Sequence, residues 1–195
     1  MKPVSVVEGQ MVPLNRADVD TDQIMPKQFL KRIERTGFGE FLFFDWRQDP
    51  DFVLNDPRYA GANILVTGPN FGSGSSREHA PWGLQQYGFE AIIAPSFADI
   101  FRNNCAKIGL LCVELPEKVC RALVDLATDQ PETICTVDLP LQNVSAGEVD
   151  EDFDFDPFTK HMLVNGLDQI GLTLERADDI AAFEATRPSF MPVTR

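Results

Sequence analysis

Residues 68–80 read Gly-Pro-Asn-Phe-Gly-Ser-Gly-Ser-Ser-Arg-Glu-His-Ala, and they follow an apolar run at 64–66 and precede a helical pattern. This order predicts a β-strand, a glycine loop and the start of a helix, a connection that is common in α/β proteins. Gly72 and Gly74 allow the positive φ angles that a sharp turn from strand into helix requires. The backbone amides of the loop are then free to point outward.

The end of this loop has the composition of an anion site. Ser75 and Glu78 have the S-x-x-E spacing of a capping box, which predicts Ser75 as the N-cap of a helix that begins at Ser76 and Arg77. Unpaired amides, the helix dipole and the Arg77 guanidinium would all favour negative charge there. A purely structural role, in which Ser75 only caps the helix, is the alternative.

Spacing excludes two common ligands of such loops. A dinucleotide fingerprint needs a third glycine where Arg77 stands, and a P-loop needs a lysine that residues 68–80 lack. A small carboxylate ligand remains compatible with the loop.

Composition predicts one cytoplasmic domain. The chain has 195 residues, 44% of them hydrophobic, and shows no apolar run of the length of about 20 residues that a membrane span needs. The first residues reach Glu8 before an apolar signal region could form. A formal net charge of −13 argues against binding to nucleic acid or to anionic membranes, so an anionic ligand must be attracted locally.

The four cysteines contain no C-x-x-C pair and lie in apolar patterns, which predicts buried thiols in a reducing compartment rather than metal ligands: Cys105, Cys112, Cys120 and Cys135. Asp18, Asp20 and Asp22 resemble the start of a calcium loop. The match then fails, because Gln23 and Phe29 occupy the glycine and glutamate positions of that loop. We therefore expect the aspartates to cap turns and to orient nearby donors.

Basic side chains cluster in one segment, which carries Lys27, Lys31, Arg32 and Arg35 before the turn at 37–39. A solvated face and a binding role are both compatible with this segment. The two histidines, His79 and His161, lie near candidate functional segments, and for each a structural and a catalytic role are open.

Hydrophobic periodicity predicts alternating strands and helices along the middle of the chain. We expect strands at 62–67, 91–94, 110–115 and 133–139, and helices at 76–87, 97–108 and 116–128. Pro81 lies five residues inside the first of these helices, so that helix is kinked or begins later. Two short strands around a turn at Glu8 and Gly9 precede this region, and a hairpin at 141–156, a helix ended by Gly166 and a last helix at 174–186 follow it.

Several long motifs make the chain resemble a known family. The Asn-Phe-Gly-Ser-Gly-Ser-Ser-Arg-Glu-His-Ala stretch is preceded by Asp-Thr-Asp-Gln-Ile-Met-Pro at 20–26 and followed by the motifs at 94–101 and 165–174. Together they are similar to the small subunits of 3-isopropylmalate dehydratases, the swivelling domain of the aconitase superfamily. The resemblance implies an α/β fold, a single three-layer β/β/α swivelling domain over residues 1–195, with a flexible substrate loop at about 27–47 and a tail at 188–195.

The resemblance also implies a reaction and a set of site residues. The family isomerises 2-isopropylmalate to 3-isopropylmalate by dehydration and rehydration in leucine biosynthesis, with a 4Fe-4S cluster in a large subunit and none in the small one. By motif position Ser75 removes the carbon-bound proton and Arg77 pairs with a carboxylate of the dicarboxylate substrate, with Ser76 beside them. Arg35 is the preferred second carboxylate contact, with Arg32 behind it. A related hydro-lyase acting on homoaconitate or citramalate-type acids, or a non-catalytic carboxylate-binding module, would share these motifs.

Overall fold

The computed structural model describes residues 1–31, 34–188 and 190. Seven strands form one sheet: β1 (Val6–Leu14), β2 (Ile64–Thr67), β3 (Ala91–Ala94), β4 (Leu111–Glu114), β5 (Ile134–Asp138), β6 (Asn143–Ala146) and β7 (Val149–Asp152). Their order across the sheet is β4-β3-β2-β1-β5-β6-β7. The pairs from β1 to β4 are parallel, whereas β1/β5, β5/β6 and β6/β7 are antiparallel.

Seven α-helices accompany the sheet in the described chain: α1 (Thr21–Ile24), α2 (His79–Tyr87), α3 (Asp99–Ile108), α4 (Glu117–Asp129), α5 (Pro157–Asn165), α6 (Gln169–Leu174) and α7 (Ala177–Ala185). Short 3-10 helices fill the connection between α1 and β2, at Lys27–Lys31, Gly39–Phe41, Trp46–Gln48, Val53–Asn55 and Pro57–Tyr59. None of the helices among these described residues is long and apolar enough to cross a membrane.

Helices cover both faces of the parallel strands, so the chain has two hydrophobic cores. All residues of β2 and β3 are buried, as continuous apolar strands between two helical layers require. Alternate residues face opposite sides: Leu65 packs with Phe71 and Phe101, whereas Ile64 packs with Leu123 of α4. The predicted alternation of strands and helices in this region is confirmed.

The N-terminal strand differs from the prediction. Instead of two short strands around a turn at Glu8 and Gly9, β1 is one strand of nine residues. Its first half pairs with β5 and its second half with β2, so both ends are held by different partners. Gly9 on its own predicts a turn, but pairing with β5, a strand distant in sequence, holds it in an extended strand conformation.

The start of α2 also differs. The helix begins at His79 rather than at Ser76, and Glu78 is its N-cap without a side-chain capping bond. Pro81 is therefore the third residue of the helix, where a backbone N–H has no intrahelical partner in any case. The later start removes the conflict that Pro81 posed.

The last helix predicted at 174–186 is present as α7, and a further short helix, α6, which the sequence does not predict, precedes it. Asp168 caps α6 by accepting a hydrogen bond from the Gly171 amide at 2.7 Å. Neither α6 nor α7 contains a buried residue. The predicted hairpin and the helix that Gly166 ends are confirmed as β6, β7 and α5.

The four cysteines are free and buried, which confirms the prediction of buried thiols. Burial raises the pKa of the Cys120 thiol to about 11 and that of the Cys135 thiol to about 12. It also raises the pKa of the Cys105 thiol. Burial therefore keeps these three thiols in their neutral form at neutral pH.

Candidate active site

The glycine loop between β2 and α2 depends on two glycines. Gly72 has a φ of 78° and Gly74 a φ of 96°, as the sequence predicts. A Cβ atom on Gly72 would lie 2.1 Å from the ring of Phe101, so packing as well as backbone conformation requires glycine there. Around Gly74 the nearest atom to an added Cβ would be Thr21 Oγ1 at 3.5 Å, so only the backbone conformation restricts that position.

The loop is anchored to residues 18–21, which lie at and before the start of α1. The Gly72 amide donates to the Val19 carbonyl at 2.7 Å, and the Thr21 amide donates to the Ser73 carbonyl at 2.8 Å. The Thr21 hydroxyl contacts Ser75 twice: it donates to the Ser75 carbonyl at 3.2 Å and accepts from the Ser75 amide at 3.1 Å. These bonds fix the backbone of the loop and leave the Ser75 side chain out of the network.

Ser75 is exposed and lies outside the helix, so the predicted capping box with Glu78 is absent. Its carbonyl accepts from Thr21 and from the Arg77 amide, which lies 2.9 Å away. That carbonyl is thus engaged in a non-helical turn, which explains why the helix cannot begin here. Within the described chain the Ser75 hydroxyl forms no hydrogen bond and is available to a ligand.

The Arg77 side chain is held by an acidic partner. Its guanidinium forms an ion pair with Asp22, which also contacts Lys27 Nζ at 3.3 Å. The Arg77 side chain is 18% exposed, and its Nη1 has no hydrogen-bond partner within the described residues. The predicted role of Asp22 in orienting a nearby donor is confirmed. The Nη1 nitrogen is buried, so its donor capacity is unused but not exposed to solvent.

Ser76 is exposed, and its backbone is supported from α3. Its carbonyl accepts from Asn104 Nδ2 at 3.3 Å, and Asn104 Oδ1 accepts from Lys107 Nζ at 3.2 Å. Asn104 is one of three buried polar residues in the described chain. The sequence contains no signal for this role, since Asn104 lies in an ordinary helical pattern.

The basic segment places Arg35 beside α2. Its exposed guanidinium lies 5.7 Å from the centre of the Trp82 ring, and its carbonyl accepts from Gln86 Nε2 at 2.8 Å. Trp82 in turn lies 4.9 Å, between ring centres, from His79 at the helix start. Arg35 therefore contacts the helix that the glycine loop leads into, whereas Arg32 lies outside the described residues.

The second half of the predicted substrate loop at about 27–47 contributes to the core. Phe38, Leu42 and Phe43 are fully buried and pack with Leu84 of α2. Arg35 precedes this buried stretch.

The two histidines occupy different environments. Burial lowers the pKa of His79, and the positive charge of Arg77 lowers it further, so the imidazole is neutral at pH 7. His161 Nε2 lies 3.4 Å from Glu175 Oε1, and its Nδ1 lies 3.2 Å from the side-chain nitrogen Nδ2 of Asn165. His161 thus links α5 to the residue that follows α6, which is a structural contact.

Within the described residues, no group of three or more His, Cys, Asp or Glu side chains is placed to hold a metal ion. The aspartates at alternate positions have separate partners: Asp20 caps α1, Asp18 accepts from Asn70 at 2.7 Å, and Asp22 pairs with Arg77. The described side chains therefore do not fit an iron–sulfur cluster.

Comparison with known proteins relates the whole chain to one family. Residues 1–118 match the model of the aconitase C-terminal domain, and residues 170–193 match that of the C-terminal domain of the 3-isopropylmalate dehydratase small subunit. The chain is 56% identical over 192 residues to the 3-isopropylmalate dehydratase small subunit of Rubrobacter xylanophilus, with 98% of each chain covered. It is 56% identical over 195 residues to that of Acidothermus cellulolyticus, covering 100% of this chain and 99% of the relative.

A solved structure shows the same fold. A crystal structure of 3-isopropylmalate dehydratase from Methanocaldococcus jannaschii is similar with a TM-score of 0.65 at 22% sequence identity, and the match covers 91% of this chain and 98% of that one. This similarity and the match to the aconitase C-terminal domain confirm the predicted α/β fold of that type.

Proposed function

The chain belongs to the family of 3-isopropylmalate dehydratase small subunits, and we propose from this premise that it is the small subunit of a hydro-lyase of leucine biosynthesis. With a large subunit it isomerises 2-isopropylmalate to 3-isopropylmalate by dehydration and rehydration. The observation that carries this proposal is the glycine loop, in which an unengaged serine hydroxyl lies two residues before an arginine in a chain similar to these relatives from end to end.

In this reaction Ser75 takes the carbon-bound proton of the substrate and returns it on rehydration. A neutral hydroxyl is a weak base, so the site must favour the ionised form. Because α2 begins only at His79, the positive end of the helix dipole lies farther from Ser75 than the sequence predicts. The nearest positive side chain in the sequence is Arg77, two residues on, whose guanidinium is paired with Asp22. Arg77 Nη1 is buried without a partner in this chain, so its second role, donation to a substrate carboxylate, requires that substrate binding expose it.

A large subunit is needed to complete the site. Ser75 and Ser76 are exposed in this chain, which leaves the substrate open to a second surface. We assign the 4Fe-4S cluster to the large subunit, because the side chains described here do not fit it. Bound there, the cluster would supply the Lewis acid for the hydroxyl that leaves.

We further propose that the chain works as a single domain over residues 1–195 in the cytoplasm. The seven strands share one sheet, which supports one folding unit. The four free cysteines support a reducing compartment.

Turnover by the reconstituted complex tests the function. We expect the purified chain alone to give no turnover of 2-isopropylmalate, and the complex with its large subunit to interconvert the 2- and 3-isomers. Anaerobic iron and sulfide analysis of the chain alone should find no stoichiometric cluster. The measurements are isomer formation over time and the metal content of each component.

The alternatives give different results in the same assay. Homoaconitate or citramalate-type substrates are tested beside 2-isopropylmalate, and a higher kcat/KM for one of them would replace the substrate assigned here. Carboxylate binding without turnover in the complex would favour a binding module. A stable cluster in the chain alone would contradict the division of chemistry between two subunits.

Substitutions in the basic segment test its role in substrate choice. We expect Arg35→Ala to lower kcat/KM strongly and Arg32→Ala to lower it less, because Arg35 is the preferred carboxylate contact. Loss of a desolvated charge-assisted contact costs on the order of 2–5 kcal/mol, whereas loss of a solvated charge costs little. Steady-state kinetics of the complex measures both effects.

Arg121→Ala is the matched control for these substitutions. Arg121 is an exposed arginine on α4 whose Nη2 lies 2.8 Å from Glu117, within the same helix. It should change kcat/KM negligibly. If Arg35→Ala and Arg32→Ala behaved like this control, the basic segment would be a solvated face.

A further inference from the structure

We propose that Thr21 is the positioning residue for proton transfer, because its hydroxyl sets the backbone of Ser75. This inference rests on the proposed function and adds a residue to it. Thr21 precedes Asp22 in the chain, but its side chain acts on a residue 54 positions away.

The evidence is the way in which the Thr21 hydroxyl is used. The residue is 2% exposed, and its Oγ1 donates to the Ser75 carbonyl and accepts from the Ser75 amide. A hydroxyl has one proton to donate, so its donor and one acceptor site are both committed to the same residue. Its own amide donates to the Ser73 carbonyl at 2.8 Å, which brings the two segments into register.

Little else in the described structure restrains Ser75. Gly74, which precedes it, has the conformational freedom of glycine at a φ of 96°. Ser75 lies outside α2, so no helical bonds hold it, and its one other backbone bond within the described chain is to the Arg77 amide. Among the residues described here, no side chain other than that of Thr21 forms a hydrogen bond to Ser75.

The position of Ser75 matters because proton abstraction requires close contact between the base and the carbon-bound proton. A misplacement of about 1 Å at a reacting group can cost roughly 10²-fold in rate. Loss of the Thr21 hydroxyl would leave the Ser75 amide and carbonyl without this partner and the loop free to shift around Gly74. We therefore expect a defect in kcat rather than in KM.

The test is Thr21→Val, which keeps the branched shape and removes the hydroxyl. In the reconstituted complex we expect kcat and the exchange of the carbon-bound substrate proton with solvent to fall by about 10- to 100-fold, with KM changed little. Thr21→Ser restores the hydroxyl and should recover most of this loss. If Thr21→Val does not fold, Thr21→Cys, whose thiol is only a weak donor and acceptor, replaces it with the same expected direction.

Thr67→Val is the matched control for a buried threonine. Thr67 is 1% exposed, and its hydroxyl donates to the Arg16 carbonyl at 3.2 Å without touching Ser75. The thermal stability of the Thr67→Val variant should fall about as much as that of Thr21→Val. Its kcat should stay near the wild-type value. Equal kcat for the two valine variants would reduce Thr21 to a structural residue and overturn the inference.

A double substitution separates this inference from the proposed function. If Thr21 acts through Ser75, adding Thr21→Val to Ser75→Ala should lower kcat no further. A full additional loss in the double variant would overturn the positioning role alone. Wild-type proton exchange in Ser75→Ala would instead overturn the function proposed for Ser75.

Discussion

Replacing Ser75 with alanine is expected to lower kcat of the reconstituted complex by roughly 10²–10⁴-fold, because a positioned general base contributes about that much to rate. KM should change little, since the hydroxyl acts on the proton and not on the carboxylates that bind the substrate. The direct measurement is exchange of the carbon-bound substrate proton with solvent, which should fall in parallel with kcat.

The same substitution should leave folding and partner binding intact. Loss of an N-cap costs about 1 kcal/mol, but Ser75 caps no helix and its hydroxyl bonds to no group in the described structure, so the cost should be smaller still. The backbone bonds with Thr21 are available to alanine as well. This separation of activity from stability is checked by thermal unfolding of the chain and by its titration with the large subunit.

Ser5→Ala is the control for this experiment. Ser5 is exposed and lies outside the glycine loop, and its carbonyl accepts from the Leu139 amide at 2.9 Å. The substitution should leave both exchange and kcat at wild-type values. If Ser75→Ala also retained wild-type exchange, the base would lie elsewhere, and the neutral imidazole of His79 at the start of α2 would be the next candidate.

The sequence predicts best the elements that are defined by local patterns. β3 has the predicted bounds, because a short apolar run between two turns is typical of a parallel strand that is buried on both faces. The helix predicted at 97–108 ends at Ile108 as α3, because Gly109, with a φ of 82°, caps it in the left-handed conformation. In these cases the local signal and the tertiary contacts agree.

The parts that could not be predicted depend on contacts between distant residues. The S-x-x-E spacing of Ser75 and Glu78 favours a capping box, but the Thr21 hydroxyl competes for the Ser75 backbone, and a local pattern contains no information about it. Similarly, Asn104 of α3 donates to the Ser76 carbonyl of the glycine loop. The roles of Ser75, Ser76 and Arg77 toward substrate therefore stay predictions from their motif, whereas the contacts that hold their backbone in place could not be predicted from the sequence at all.

Arg77→Lys should produce a defect of a different kind from Ser75→Ala. Lysine keeps the positive charge but loses the planar fork that donates two parallel hydrogen bonds to a carboxylate. One hydrogen bond to a charged group is worth about 1.5–3 kcal/mol, so KM should rise roughly 10- to 100-fold while kcat changes less. Steady-state kinetics and substrate binding to the reconstituted complex give the two parameters separately.

The ion pair with Asp22 explains why charge alone should not suffice at this position. In the described structure one side of the guanidinium contacts Asp22, while Nη1 is buried without a hydrogen-bond partner. The single ammonium group of a lysine would have to bind both Asp22 and the substrate carboxylate at once, whereas arginine has separate nitrogens for the two. Arg58→Lys is the control, since Arg58 donates through Nε at 2.9 Å and Nη2 at 2.7 Å to an exposed carboxylate, Asp56. That substitution should leave KM unchanged, and an equally unchanged KM in Arg77→Lys would show that the substrate needs no fork at this site.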